Sequence, residues 1–182
     1  MYYKKIVGER IYLSPADLEN ETDILTAWAN EDQVLAYRNG FYDSLLGKEK
    51  ARDMITRWNE GPFLFSIVSL TDNNFMGHIT LFDVAPHETY ATMAIYLGRE
   101  YRGQGYGKEA VSLIVDYAFD TQRFKAIHLE VYSFNDNALK MYEKSGFVVC
   151  GRWHNICYNS GEYCDIVLME LLREDWKRQK ML

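Results

Sequence analysis

Proline, cysteine and long apolar segments are all scarce in this sequence of 182 residues. Only three prolines occur, which argues against extended linkers, and the length suits a single domain with a substantial core. No apolar run approaches the roughly 20 residues that a membrane-spanning helix needs. No run of lysine or arginine is long enough to form a nucleic-acid footprint and the net charge is −6, so a nucleic-acid partner is not favoured. We therefore expect one globular domain that uses neither nucleic acid nor a membrane.

The cysteines are few, odd in number and evenly spaced, at Cys150, Cys157 and Cys164. This arrangement predicts neither a disulfide framework nor a C-x-x-C metal pair. The start, from Met1 to Lys5, lacks the apolar core of a signal peptide. The sequence therefore predicts three free thiols in a reducing cytoplasm, and no bound metal.

A glycine-rich segment between an apolar strand and an amphipathic helix is the most informative part of the sequence. Three glycines alternate with other residues between Arg102 and Lys108, so no side chain bars close approach to that backbone. Beyond them, apolar residues from Ala110 to Ala118 recur at helical spacing and predict a helix with one buried face. The first turn of such a helix offers unpaired amides and the positive end of the dipole. These features predict a pocket for a phosphate or pyrophosphate.

Several interpretations of this loop compete. It could be a plain glycine-rich turn that starts a helix. The spacing excludes the Walker loop G-x-x-x-x-G-K-[ST] and the dinucleotide fingerprint G-x-G-x-x-G. The run R-x-x-G-x-G from Arg102 to Gly107 instead resembles the coenzyme A pyrophosphate loop of the GCN5-related N-acetyltransferase superfamily.

A second motif follows from Asn135 to Phe147 and resembles the N-x-x-A-x-x-x-Y-x-K-x-G-F signature of that superfamily. The resemblance implies that Asn135 bonds the pantetheine arm and that Tyr142 lies near the coenzyme sulfur. The alternative is a simple capped helix that begins at Asn135 and ends at Gly146. Because the two motifs occur together, we favour the catalytic interpretation.

The predicted order of elements is a strand, two helices, three antiparallel strands, a helix, a strand, a helix and two strands. Thr89 to Leu97 and Lys125 to Tyr132 flank a helix, so they predict a parallel pair with a right-handed crossover. This is an α+β layout around a mixed, mostly antiparallel sheet. It resembles the acyl-coenzyme A N-acyltransferase (GNAT-like) fold, which implies a single domain over residues 1–182 and a parallel pair splayed around the cofactor.

The resemblance also implies a mechanism, in which an amine attacks the thioester of acetyl-coenzyme A as co-substrate. A fixed backbone N–H stabilises the oxyanion that forms. The leaving thiolate, from a thiol of pKa about 8.5, benefits from a proton donor, and we assign this catalytic role to Tyr142. The predicted cofactor-binding residues are Ile95, Tyr96, Leu97, Arg102, Gly103, Gln104, Gly105, Tyr106, Gly107, Lys108 and Asn135.

The base that deprotonates the amine stays open. Many members of the superfamily carry a glutamate on the strand before the glycine loop, where this sequence has Thr92 or Ala94. His87 or Glu88 could serve through a water molecule, or both could be ordinary turn residues. The segment from Glu31 to Leu46 is either a loop on the substrate side or a connection between helices.

The sequence of the C-terminal hairpin from Tyr158 to Asp165 indicates which class of acceptor to expect. It is similar to the branch that holds spermidine N-acetyltransferases and ribosomal-protein N-terminal acetyltransferases. This implies a small amine or a protein N-terminus as the acceptor. Two alternatives are an acyltransferase of the same fold acting on an amino sugar or antibiotic, and a non-catalytic coenzyme A-binding protein. A homodimer is left open.

Overall fold

The structure is a computed structural model that describes residues 1–30, 47–58, 61–84, 89–159 and 161–181. Within these ranges eight strands form one sheet. The strands are β1 (Ile6–Val7), β2 (Ile11–Pro15), β3 (Phe63–Ser69), β4 (Phe75–Phe82), β5 (Tyr90–Leu97), β6 (Ala126–Tyr132), β7 (Val148–Asn159) and β8 (Glu162–Leu172). The helices in the same ranges are α1 (Leu18–Ala29), α2 (Lys48–Trp58), α3 (Tyr106–Asp116), α4 (Asp136–Lys144) and α5 (Arg173–Lys180), with a 3₁₀ turn at Arg99–Tyr101 and a π-helical turn at Tyr117–Thr121.

The sheet is mixed, in the order β1-β2-β3-β4-β5-β6-β8-β7, and only β5 and β6 pair in parallel among the described strands. Their pairing joins Tyr90–Thr92 to Ala126–His128 and goes no further along the described strands. Beyond it, β5 stays paired with β4 and β6 with β8. The parallel pair therefore opens into a gap towards the C-terminal ends of both strands. The predicted α+β class, mixed sheet and splayed pair are confirmed.

Alternation along the strands assigns each side chain to one of two faces. On the face that we name the α3 face, Met93 of β5 and Leu129 of β6 join the main core beneath α3 and α4. The predicted apolar stripe of α3 lies in this core, and Val111 and Ile114 are fully buried. Burying a side chain of this size contributes about 1.5–3 kcal/mol, so the stripe fixes α3 on the sheet.

The opposite face, which we name the α1 face, packs against α1 through Trp28 and Tyr96. A buried polar contact fastens this helix as well. Glu21 of α1 is fully buried, and its Oε2 lies 2.7 Å from Nε2 of His78 on β4. Burial opposes ionisation of Glu21. The hydrogen bond and charge of His78, together with the hydrogen bond that Ser66 donates, outweigh burial and hold the pKa of Glu21 below its usual range. Such a pair stabilises the fold only while both partners are in place.

The cysteines correct the sequence analysis. Cys157 and Cys164 are directly opposite in the β7–β8 ladder, with Cα atoms 5.0 Å apart, and their sulfurs form a disulfide. The prediction of three free thiols is therefore wrong for these two, because the hairpin turn between them brings them face to face. Cys150 is a free, exposed thiol.

Several predictions fall outside the described residues. They are the interpretation of Glu31 to Leu46 and the two candidate bases His87 and Glu88. Among the residues that are described, no helix is long and apolar enough to cross a membrane. Within that same part of the chain, no group of three or more His, Cys, Asp or Glu side chains could hold a metal ion.

Candidate active site

The glycine loop between β5 and α3 adopts a backbone that requires glycine. Gly103 and Gly105 have φ angles of +72° and +88°, in the left-handed region that other residues rarely adopt. Gly105 is the N-cap of α3 and provides no side-chain cap. Within the described part of the chain, no group accepts a hydrogen bond from the amides of residues 103–108. The loop therefore presents a set of available N–H groups at the positive end of a helix, which is an anion site in outline.

Arg102 closes the loop back onto the end of β5. Its Nε donates a hydrogen bond of 2.8 Å to the carbonyl of Leu97, and its guanidinium lies 5.8 Å from the centre of the Tyr96 ring. The side chain of Gln104 likewise donates to the carbonyl of Glu100. Both predicted cofactor-binding side chains are thus engaged in shaping the loop, and its backbone amides are what remain for a ligand. Lys108 is exposed in the first turn of α3 and adds positive charge there.

Glu109 is a structural residue of this site that the sequence analysis missed. Its Oε1 accepts hydrogen bonds from the backbone amides of Glu9, Arg10 and Ile11 at 2.8, 2.8 and 3.3 Å. Its Oε2 pairs with Nε of Arg10 at 3.1 Å, and that guanidinium donates to the carbonyl of Gln104 at 3.0 Å. Burial opposes ionisation of Glu109, but these backbone and side-chain hydrogen bonds outweigh it and lower its pKa. The turn between β1 and β2 is thereby fixed to the loop.

The backbone of β5 divides its hydrogen-bonding groups between β4 and the gap. The amide of Gly98 donates to Met76 of β4 at 3.0 Å, and Tyr96 is paired with His78. Because groups alternate in an antiparallel ladder, the amide and carbonyl of Tyr96 also face β4. Those of Ile95 and Leu97 face the gap, and the Leu97 carbonyl receives the bond from Arg102. Of the three predicted residues on β5, Tyr96 therefore turns its backbone groups away from the gap, and its ring packs against Trp28 of α1.

Asn135 and Tyr142 belong to α4, directly after β6. The side chain of Asn135 accepts a hydrogen bond of 3.2 Å from the amide of Ala138, so it caps the helix, as the simpler interpretation predicts. Tyr142 is only 6% exposed and lies edge-on to Phe147 at 5.8 Å. Burial raises the pKa of Tyr142, so its phenol stays protonated at neutral pH and can donate.

The parallel direction of β5 and β6 brings the two motifs to one end of the gap. The glycine loop follows the C-terminal end of β5, and Asn135 follows the C-terminal end of β6. Tyr142 lies on the α3 face, in the same core as Met93 and Leu129. A split parallel pair, with a loop of available amides at one end and a buried phenol on one face, matches the acyl-coenzyme A N-acyltransferase fold.

Comparison with known proteins agrees with this class. Residues 10–148 match the family model described as "Acetyltransferase (GNAT) domain". The chain therefore belongs to the GNAT acetyltransferase family and is an N-acetyltransferase.

The similar sequences carry related names. The SPbeta prophage-derived uncharacterized N-acetyltransferase YokL of Bacillus subtilis is 30% identical over 177 residues, which cover 93% of this chain and 94% of that protein. The spermidine N(1)-acetyltransferase of Vibrio cholerae is 26% identical over 110 residues, which cover 60% of this chain and 64% of that protein.

Solved structures share the fold at low sequence identity. A GNAT-family acetyltransferase from Bacillus anthracis has a TM-score of 0.80 at 18% identity and covers 96% of this chain and 99% of that one. Spermidine N-acetyltransferase from Vibrio cholerae, in complex with CoA and spermine, has a TM-score of 0.78 at 18% identity and covers 92% and 98%. At this identity the likeness supports the fold alone.

Proposed function

We propose that the protein transfers an acetyl group from acetyl-coenzyme A to the primary amine of a small molecule or of a protein N-terminus, by direct attack. One observation carries this proposal: the available amides of residues 103–108 lie at the end of the gap between β5 and β6. A diphosphate held there would leave the acyl arm aligned with the gap.

The residues around the gap fit such a ligand. A Cβ built at Gly103 would meet nothing within 4 Å, so the space beside this part of the loop is open to a ligand. The loop amides and Lys108 would hold the diphosphate. The gap-facing groups of Ile95 and the amide of Leu97 would bond the pantetheine arm as a neighbouring strand does. Asn135 caps α4 through Oδ1, which leaves its amide nitrogen as a donor for that arm.

The chemistry assigned to Tyr142 follows from its burial. A phenol with a raised pKa keeps its proton until the sulfur leaves. Because a thiolate is a weaker base than a phenolate, the transfer depends on the position of the hydroxyl beside the sulfur rather than on the acidity of Tyr142. A backbone N–H on the gap side of β5 would stabilise the oxyanion. General acid catalysis of this kind contributes about 10²–10⁴-fold to the rate.

The acceptor class rests on the comparisons and on charge. The Vibrio cholerae relative is named a spermidine N(1)-acetyltransferase, and the net charge of this chain is −6. Both support a cationic amine. The cytoplasmic location and a homodimer remain predictions.

The test combines binding and turnover. Calorimetry should detect binding of acetyl-coenzyme A to the protein. Thiol release should follow when amines from a panel of spermidine, amino sugars and peptides with free N-termini are added. Tyr142→Phe should lower kcat by about 100-fold while binding acetyl-coenzyme A as the wild type does, because Phe keeps the packing against Phe147. Tyr158→Phe, in an exposed tyrosine of the hairpin, should be fully active. Absence of binding would refute the proposal, and a fully active Tyr142→Phe would refute the acid assignment.

A further inference from the structure

The strand that precedes the glycine loop carries no group able to deprotonate an ammonium ion where the gap opens. From Tyr90 to Leu97 there is no carboxylate or imidazole. An alkyl amine has a pKa of about 10, so at neutral pH it arrives protonated and lacks a lone pair. If the proposed acetyl transfer is correct, on which this inference rests, a base must come from elsewhere.

The neighbouring strand β6 supplies a carboxylate at the point where β5 and β6 separate. Thr92 and His128 form the last pair of the parallel ladder, and both lie on the α1 face. Continuing that register by two residues sets Glu130 opposite Ala94, at the point where the strands separate. Leu129 is buried in the core of the α3 face, so Glu130 projects from the α1 face, where both it and Ala94 are exposed.

The gap therefore has a potential proton donor on one face of the sheet and a potential proton acceptor on the other. Tyr142, the proposed acid for the sulfur, is packed on the α3 face. Glu130 is on the α1 face, so an amine that approached from that side would meet the carboxylate before it reached the thioester. Attack on a thioester requires the base beside the entering nitrogen and the acid beside the leaving sulfur, and this arrangement separates them.

The surroundings of Glu130 suit a proton acceptor. The carboxylate of Asp83, just beyond the end of β4, is one negative charge that acts on it. On β6 and β8, Nε2 of His128 and Oε2 of Glu170 are 3.7 Å apart. Partial burial, and then Asp83, raise the pKa of Glu130 above that of an ordinary glutamate. It is therefore a stronger base than an ordinary surface carboxylate.

We propose that Glu130 is the general base of the reaction. It takes one proton from the ammonium and passes it to solvent, which frees the lone pair. The nitrogen forms a bond to the carbonyl carbon, the carbon–sulfur bond breaks, and the sulfur accepts the proton of Tyr142. The second proton lost from nitrogen restores the Tyr142 hydroxyl through solvent, so one proton is released per turnover.

The experiment is a pH profile of thiol release from acetyl-coenzyme A with the amine panel described above. Glu130→Gln should lower kcat about 100-fold at pH 7, with unchanged affinity for acetyl-coenzyme A and an unchanged melting temperature. The difference in kcat between Glu130→Gln and the wild type should become smaller towards pH 10, where the amine deprotonates without a base. Glu170→Gln, a change of the same kind on the same face, should stay within about twofold of wild type.

Asp83→Asn gives an independent test, because it predicts the direction in which the acid limb of the pH profile moves. Since Asp83 raises the pKa of Glu130, its removal should move the acid limb of the profile to lower pH. If Glu130→Gln keeps the wild-type rate and acid limb while the wild-type enzyme turns over, the assignment of the base is wrong and the proposed function stands. If the wild type neither binds acetyl-coenzyme A nor releases thiol, the proposed function fails, and the base assignment fails with it.

Discussion

The contact between Glu109 and the turn before β2 can be tested by the change Glu109→Gln. Glutamine keeps an oxygen for the amides of Glu9 and Arg10 but loses the charge that strengthens those bonds. Its NH₂ group would also face the guanidinium of Arg10, so that a donor meets a donor. The Glu109 side chain is only 15% exposed, so solvent replaces little of this loss.

The magnitude follows from the number and kind of bonds. Hydrogen bonds to a charged acceptor contribute about 1.5–3 kcal/mol, against about 1 kcal/mol for neutral ones, and the pair with the half-exposed Arg10 adds less than about 1 kcal/mol. Weakening two short amide bonds and losing the pair should lower the free energy of unfolding by about 2 kcal/mol. For a chain of this size the melting temperature should fall by about 4–8 °C.

The matched control is Glu19→Gln. Glu19 and Glu109 both lie in the first turn of a helix, so both changes remove the same favourable interaction with the helix dipole. Glu19 is exposed, and no described residue hydrogen-bonds its side chain. The reasoning is refuted if the two variants melt within about 1 °C of each other at pH 7.

The contribution of Glu109 to the free energy of unfolding should depend on pH in one direction. The pKa of Glu109 is lower in the folded protein than in the unfolded chain, so its contribution is complete above the unfolded value of about 4.3 and is lost as the pH falls through the folded value. The difference in unfolding free energy between wild type and Glu109→Gln should therefore be constant from pH 6 to 8 and shrink below about pH 4. A difference that grew on acidification would contradict this account.

Two further predictions concern glycines. Gly77→Ala should destabilise the protein by about 3 kcal/mol or more in thermal melts, because the new Cβ would lie 2.0 Å from the carbonyl oxygen of Tyr96 on β5; Gly47→Ala, which meets nothing within 4 Å, is the control. Gly103→Ala and Gly161→Ala share positive φ angles of +72° and +91° and open surroundings, so each should lose about 1–2 kcal/mol of stability. Only Gly103→Ala should weaken acetyl-coenzyme A binding, by about tenfold in calorimetry, and equal affinities would argue against a diphosphate in the loop.

The parts of the fold that local patterns determine were predictable. The strand predicted over Thr89 to Leu97 is observed at Tyr90–Leu97, and the helix after the glycines is observed at Tyr106–Asp116. Period-2 and period-3.6 patterns report burial within one element, and here each element buries the face that its own pattern indicates. The glycine loop was predictable for the same reason, because the three closely spaced glycines of one short segment indicate a backbone that only glycine adopts readily.

The contacts that the sequence did not reveal join residues far apart in the chain. Glu109 meets Arg10 across 99 positions, and Glu21 meets His78 across 57. Nothing in either segment alone distinguishes these carboxylates from solvated ones. Glu130 was overlooked for a related reason, because its place opposite Ala94 depends on the register between two parallel strands. Register is a property of the assembled sheet.

The split between β5 and β6 has a consequence for how the molecule meets water. In most sheets the central strands are the best protected and the rims exchange their amide protons first. Here two strands in the middle of the order turn hydrogen-bonding groups towards an opening, so the Ile95 amide should exchange faster than amides nearer the rim. The middle of this sheet is thus open to water, and occupancy of the opening would protect the Ile95 amide from exchange.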